Sequence, residues 1–193
     1  MTVRQLVRSF DALLSQYYGI HEFTDDPGCI IRIARARAGR AVILSDGTEL
    51  GTDDPVLDLH WWNERLPQIP QRGPDPAWAA AMRRRIRSSL QTLGRHLASV
   101  HDYDDIRGLR AEIVFGTRIG RQQLVRAARR FGFDVVEREA PHGFTAQLHQ
   151  AGDSMLLWGL IWAYNPGGLK HKPLLRERDE LWISRGALIE RSA

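Results

Sequence analysis

One stretch narrows the choice of folds more than any other. Asp75-Pro76 is a capping side chain followed by proline at the first helical position. Trp78, Met82, Ile86, Leu90, Leu93, Leu97 and Val100 then recur at helical spacing, which predicts a long amphipathic helix over 76–100. The segments around it read differently. Runs rich in β-branched and apolar residues at 29–36, 41–45, 48–50, 56–62, 109–115, 133–138 and 180–183 predict strands. The first two are expected to join around Gly39, and Asp46-Gly47 is a hairpin turn signal. Further helices are expected over 2–18, 118–131 and 142–164, with a short one after the cap Ser184 running through Glu190. The unit over 109–138 reads as a βαβ crossover. The expected fold is a single α+β domain over residues 1–193, a mixed β-sheet with packed helices. Neither an internal repeat nor a low-complexity segment interrupts it.

Composition bounds the chemistry. Across 193 residues, 43% hydrophobic and 26% charged content is that of a globular chain. Cys29 is the single cysteine, which excludes an intramolecular disulfide and every multi-cysteine zinc or iron–sulfur site. No metal and no cofactor is implied. The net charge is +4, and every basic residue except Lys170 and Lys172 is arginine. That bias suits phosphate or carboxylate recognition and also suits a GC-rich genome. Arg8 and Asp11 interrupt any apolar leader. The most apolar run, 155–164, has ten residues, where a membrane span needs about 20. A cytoplasmic protein is expected, at most peripheral to a membrane. Trp158, Trp162 and Tyr164 suit a membrane interface, and the same run suits the buried centre of a domain.

The densest polar chemistry lies at 46–65. In a strand over 56–62, Leu57, Leu59 and Trp61 share the core face, and Val56, Asp58, His60 and Trp62 share the other. Asp58 and His60 then stand about 7 Å apart at Cβ. A carboxylate beside an imidazole can orient a general base. Asn63, Glu64 and Arg65 follow where the strand runs out. The same residues also fit the polar face of an edge strand.

These residues carry a resemblance. The turn Asp46-Gly-Thr48, then Gly51-x-Asp-x-Pro-Val56, then Leu57-x-Leu-His-x-x-Asn-Glu-x-Leu66 is similar to the YkoP-like domain of bacteria. Phe115-Gly-Thr-Arg-Ile119, leading to Phe131-Gly-Phe133, resembles its strand–turn–helix unit, and Leu181-Trp-Ile-Ser-Arg185 with Leu188-Ile-Glu-Arg191 resembles its ending. The likeness runs over about residues 40–192. Trp62 stands where the family pattern has a smaller polar residue. The family occurs alone or fused to polysaccharide-deacetylase-type domains, so the resemblance implies an envelope-glycan or glycolipid setting without implying a mechanism.

Other candidates are weaker. Arg83, Arg84 and Arg87 project from the long helix and suit phosphates of nucleic acid or anionic lipid, or simply a solvated face. No helix-turn-helix or aromatic platform accompanies them, so nucleic acid is not the expected partner. Gly116 to Arg121 opens a helix after a strand, and Arg118 and Arg121 there suit an anion, although Thr117 also serves as a plain N-cap. His101 to Asp105 has the composition of a metal loop and no more.

The leading expectation is an accessory or ligand-binding domain in envelope polysaccharide or lipid-linked glycan metabolism. Its partner would be a polysaccharide, a lipid-linked saccharide or an envelope enzyme. Asp58, His60, Trp62, Asn63, Glu64 and Arg65 would face the ligand, with Arg118 and Arg121 as an anion contact. The alternatives are an enzyme with His60 as general base, Asp58 orienting it and Glu64 as a second acid/base, and a nucleic-acid binder through Arg83–Arg87.

Overall fold

The computed structural model describes residues 18–115, 118–137 and 177–193. The helices expected over 2–18 and 142–164 lie outside them, apart from Tyr18, which is in a turn.

Among the described residues seven strands and three α-helices follow in order: β1 (Ile31–Arg37), β2 (Val42–Ile43), β3 (Glu49–Leu50), β4 (Pro55–Trp61), α1 (Pro76–Ser99), β5 (Gly108–Phe115), α2 (Arg118–Arg130), β6 (Asp134–Glu137), β7 (Glu177–Ser184) and α3 (Arg185–Glu190). Five strands form a sheet in the order β1-β4-β5-β7-β6, and β2 with β3 forms a separate two-stranded sheet. The β4–β5 pair is parallel and every other pair in the large sheet is antiparallel. The architecture is α+β with a mixed sheet.

Local chemistry sets the element ends. Asp75 caps α1 by accepting from the Trp78 amide at 2.7 Å, and Pro76 occupies a position whose missing N–H costs nothing there. Ser184 ends β7 and its hydroxyl accepts from the Ala187 amide to start α3. At the β2–β3 tip Gly47 takes φ +83°, the left-handed region that glycine enters freely. Asp46 beside it accepts from the Thr48 amide and from the Ser184 hydroxyl, so the tip is tied to the end of β7.

Pairing adds detail to two expectations. The strands on either side of Gly39 follow one another but belong to different sheets: β1 pairs with β4, and β2 with β3. The 109–138 unit is a βαβ crossover whose two parallel strands are not neighbours, because β7 is inserted between β5 and β6 and pairs antiparallel with both. The parallel strands that are neighbours, β4 and β5, flank α1.

Strand alternation divides the sheet's side chains between two faces. Ile31, Ile33, Leu57, Leu109 and Ile183 meet Leu90, Leu93 and Leu97 of α1, Ala128 of α2 and Leu188 of α3 in the main core. All three helices therefore cover one face. On the other face Val56 and Trp182 pack under the β2–β3 hairpin, against Ala38, Val42, Leu44 and Leu50. Gly108 makes that approach close: a Cβ there would stand 2.7 Å from Leu50 Cδ1.

Candidate functional site

The hairpin covers only part of its face. Beside it the register sets Ala34, Asp58, Arg110, Trp182 and Asp134 in one row across the sheet. The next row holds Arg32 opposite His60, and Glu112 opposite Glu180. The polar residues expected on this side of β4 are therefore there, with partners from β1, β5 and β7.

Asp58 is engaged on both oxygens. Arg110 Nε and Nη2 each donate to it at 2.8 Å, and Arg110 Nη1 donates to the Ala38 carbonyl at 2.8 Å. The two side chains are only 24% and 19% exposed. A forked guanidinium–carboxylate pair this sheltered is strong and directional. It holds Asp58 as a cross-strand lock between β4 and β5, whereas the base-orienting role requires that carboxylate to face His60. The Arg110 guanidinium also lies 5.5 Å from the centre of the Trp182 ring. Burial, the largest influence, lowers the His60 pKa below the ordinary imidazole range; Asp58 and Glu112 work the other way, and Arg32 and Arg110 add to the lowering. The ring is thus neutral at neutral pH.

The end of β4 departs from simple alternation. Trp61 is 41% exposed although it lies on the helix face, and Trp62 is 8% exposed. The strand stops at Trp61, and Asn63–Arg65 turns into a 3-10 helix. The Arg65 guanidinium lies 3.2 Å from the centre of the Trp62 ring and donates to the Asp26 carbonyl, while Arg85 donates to the Arg65 carbonyl. Trp62 and Arg65 thus shape the turn. Asn63 is half-buried and Glu64 exposed on that turn. Arg121 donates to Asp179 at 2.8 Å and also pairs with Glu137, so its charge is committed to carboxylates. The Arg118 side chain and residues 116–117 lie outside what is described. His101 is bonded to Asp104 at 3.0 Å, and no group of three metal-ligating side chains occurs among the described residues.

The feature that sequence reasoning missed is on the helix face. A cavity of about 120 Å³ lies between α1 and α2 above β4, β5 and β7. Leu59, Ile86, Leu90, Ile113, Phe131 and Leu181 form much of its wall. His60 and Glu112 border it, but alternation sends their side chains to the opposite face, so they contribute backbone. The space exists because Ala111 on β5 and Ala127 and Ala128 on α2 bring short side chains to one place. Trp61 and Leu124, 41% and 42% exposed, stand among its lining residues where it opens. The volume is near that of engineered apolar cavities that stay dry and take up small hydrocarbons. One small residue on β5 and an adjacent pair on α2 form no motif, so nothing in the periodicity marked the cavity.

Among the described residues no helix is long and apolar enough to cross a membrane. No curated protein and no solved structure matches the chain. One family description does, the YkoP domain, and it covers residues 1–192. The match takes in the N-terminal residues that the motifs left out, and the chain belongs to the YkoP domain family.

Proposed function

We propose that this YkoP-domain protein is an accessory, ligand-binding domain of bacterial envelope metabolism that works at the cytoplasmic side of the membrane. Its ligand is a lipid-linked saccharide, held by the hydrocarbon chain. The observation that carries this reading is the apolar cavity between α1 and α2, with Trp61 and Leu124 at its opening. Its walls are apolar side chains apart from Trp61 at the opening, whose indole N–H is a single donor, and a buried hydroxyl without a partner costs about 1–3 kcal/mol. A polymethylene or prenyl segment has no such cost and gains roughly 0.8 kcal/mol for each methylene it buries. The saccharide then stays outside the opening, within reach of the turn that carries Asn63 and Glu64.

The test is calorimetric titration of the whole chain with a short prenyl phosphate. Binding with a negative heat-capacity change is expected. Ala127 lines the cavity from an exposed position on α2, so Ala127→Phe fills the space at little cost to folding. That variant should lose at least tenfold in affinity. Equal affinity in the variant would show that the chain binds elsewhere.

A second reading, an enzyme with His60 as general base, is favoured by one observation: burial keeps the imidazole neutral and therefore able to accept a proton. It requires Asp58 to be released from Arg110. It predicts that His60→Gln abolishes turnover of a saccharide or phospholipid substrate while the melting temperature stays nearly unchanged.

A further inference from the structure

The helices on either side of the cavity have an uncommon charge pattern. Five arginines lie on α1 (Arg83, Arg84, Arg85, Arg87 and Arg95) and five on α2 (Arg118, Arg121, Arg126, Arg129 and Arg130), and neither helix contains an acidic residue. Elsewhere Arg35, Arg110 and Arg185 each meet a carboxylate. On these two helices Arg121 alone does so among the described residues. Arg83, Arg84, Arg87, Arg129 and Arg130 are exposed, with no ion-pair partner among the described residues.

Their direction follows from the packing of α1. Ser89 and Arg85 face β1 and the turn after β4, because Ser89 Oγ accepts from the Ile30 amide and Arg85 donates to the Arg65 carbonyl. Gly94 faces the other way, where a Cβ would stand 2.9 Å from the Leu188 carbonyl oxygen of α3. Arg83 and Arg87 precede Gly94 by eleven and seven residues and so share its stripe. That flank is turned toward α3, and Arg83 and Arg87 each stand three residues before a cavity-lining residue of α1, Ile86 and Leu90, so they border the cavity wall. On α2, Arg121 is turned to the sheet, while Arg130 follows the cavity-lining Ala127 by three residues and lies on the same side of the helix. Between these basic flanks Trp61 and Leu124 are two of the four exposed large apolar side chains among the described residues.

We infer that this face docks on an anionic lipid bilayer. Arg83, Arg87 and Arg130 meet the headgroups, and Trp61 and Leu124 enter the interfacial layer. Arginine stems and tryptophan rings suit that boundary, because each offers an apolar body and a polar end. Nucleic acid fits less well: between the basic flanks its phosphates would face an apolar opening lined by Leu59, Ile86, Leu90 and Leu124, which offer no charge to meet them. The inference reaches beyond the cavity itself, since a chain-binding pocket needs no membrane contact. It places the opening against the lipid from which a chain would enter.

The experiment is co-sedimentation of the full chain with phosphatidylglycerol vesicles and, separately, with phosphatidylcholine vesicles, each with and without duplex DNA. Binding to the anionic vesicles alone is expected, undisturbed by DNA and weakened by salt. Each arginine at an anionic surface is worth roughly fivefold in affinity, so the double variant R83Q/R87Q should bind roughly 25-fold more weakly. Both positions are exposed, so its melting temperature should match the parent's. Trp61→Ser should weaken binding equally at low and high salt. Absence of vesicle binding, equal binding to both lipids, an unchanged double variant, or release by DNA would each overturn the inference. Ala127→Phe separates the two proposals. It should block uptake of the prenyl chain and leave vesicle docking intact, so either can fail alone.

Discussion

The two faces of the five-stranded sheet use the same strands for opposite ends. On the hairpin face, charged side chains from neighbouring strands satisfy one another: Arg110 forks onto Asp58 and reaches the Ala38 carbonyl. On the helix face the strands supply an apolar layer, and the charges sit outside it on α1 and α2, mostly without carboxylate partners among the described residues. A sheltered ion pair that already has its partner is a structural device. An apolar cavity beside exposed arginines with no ion-pair partner among the described residues is an opening for something else. The densest polar cluster is therefore not the best candidate site here; the emptier face is.

The largest effect should come from breaking the lock on the hairpin face. Removing one member of a sheltered pair leaves the other charge uncompensated, which costs up to about 3–5 kcal/mol. Arg110→Met should approach the lower figure in a denaturant titration, since solvent still reaches both partners. The double variant D58L/R110M should recover much of the loss. If Arg110→Met costs under about 1 kcal/mol, the hairpin face is not locked as described.

Next in size is the packing beneath the helix face. Gly94→Ala sets a methyl against the Leu188 carbonyl and should cost about 1–3 kcal/mol by overpacking the α1–α3 contact. Ala127→Phe, on the same face, should change stability by less than about 1 kcal/mol, because it fills space. If the two cost the same, the space above β5 is not a cavity in solution.

Asp46→Ala should cost about 1 kcal/mol, by losing the bonds that tie the hairpin tip to Thr48 and Ser184. The smallest effect concerns pH. Burial is the main cause lowering the pKa of both His60 and His96. The unfolded chain therefore takes up protons first, as pH falls below about 6.5. Stability from these two groups is complete above that pH and is lost progressively below it. His60→Gln should flatten that part of the stability profile, whereas a profile as steep as the parent's would mean the ring is hydrated.

The sequence was most legible where the physics is local. The Asp75-Pro76 cap, the helical spacing of α1, the Asp46-Gly47 turn and the Ser184 cap each work within a few residues, and each stands where expected. Strand order was not legible, because inserting β7 between β5 and β6 depends on a pairing more than forty residues away from β6. Alternation placed Leu57 on the core face, and it is fully buried there. It failed to anticipate that Val56 on the other face is also buried, since the covering hairpin comes from a separate pair of strands. Trp62 escaped the pattern because the backbone leaves the extended conformation just beyond Trp61. The cavity was invisible for a further reason: it is missing volume, produced by alanines on two different elements.

The most direct measurement is a methyl-resolved NMR titration of the full chain with a short prenyl phosphate. Shifts should be confined to Leu59, Ile86, Leu90, Leu124 and Leu181 around the cavity, with Val42, Leu50 and Val56 under the hairpin unmoved. Shifts centred on the hairpin side, or none at saturating ligand, would contradict the assignment of ligand binding to the helix face.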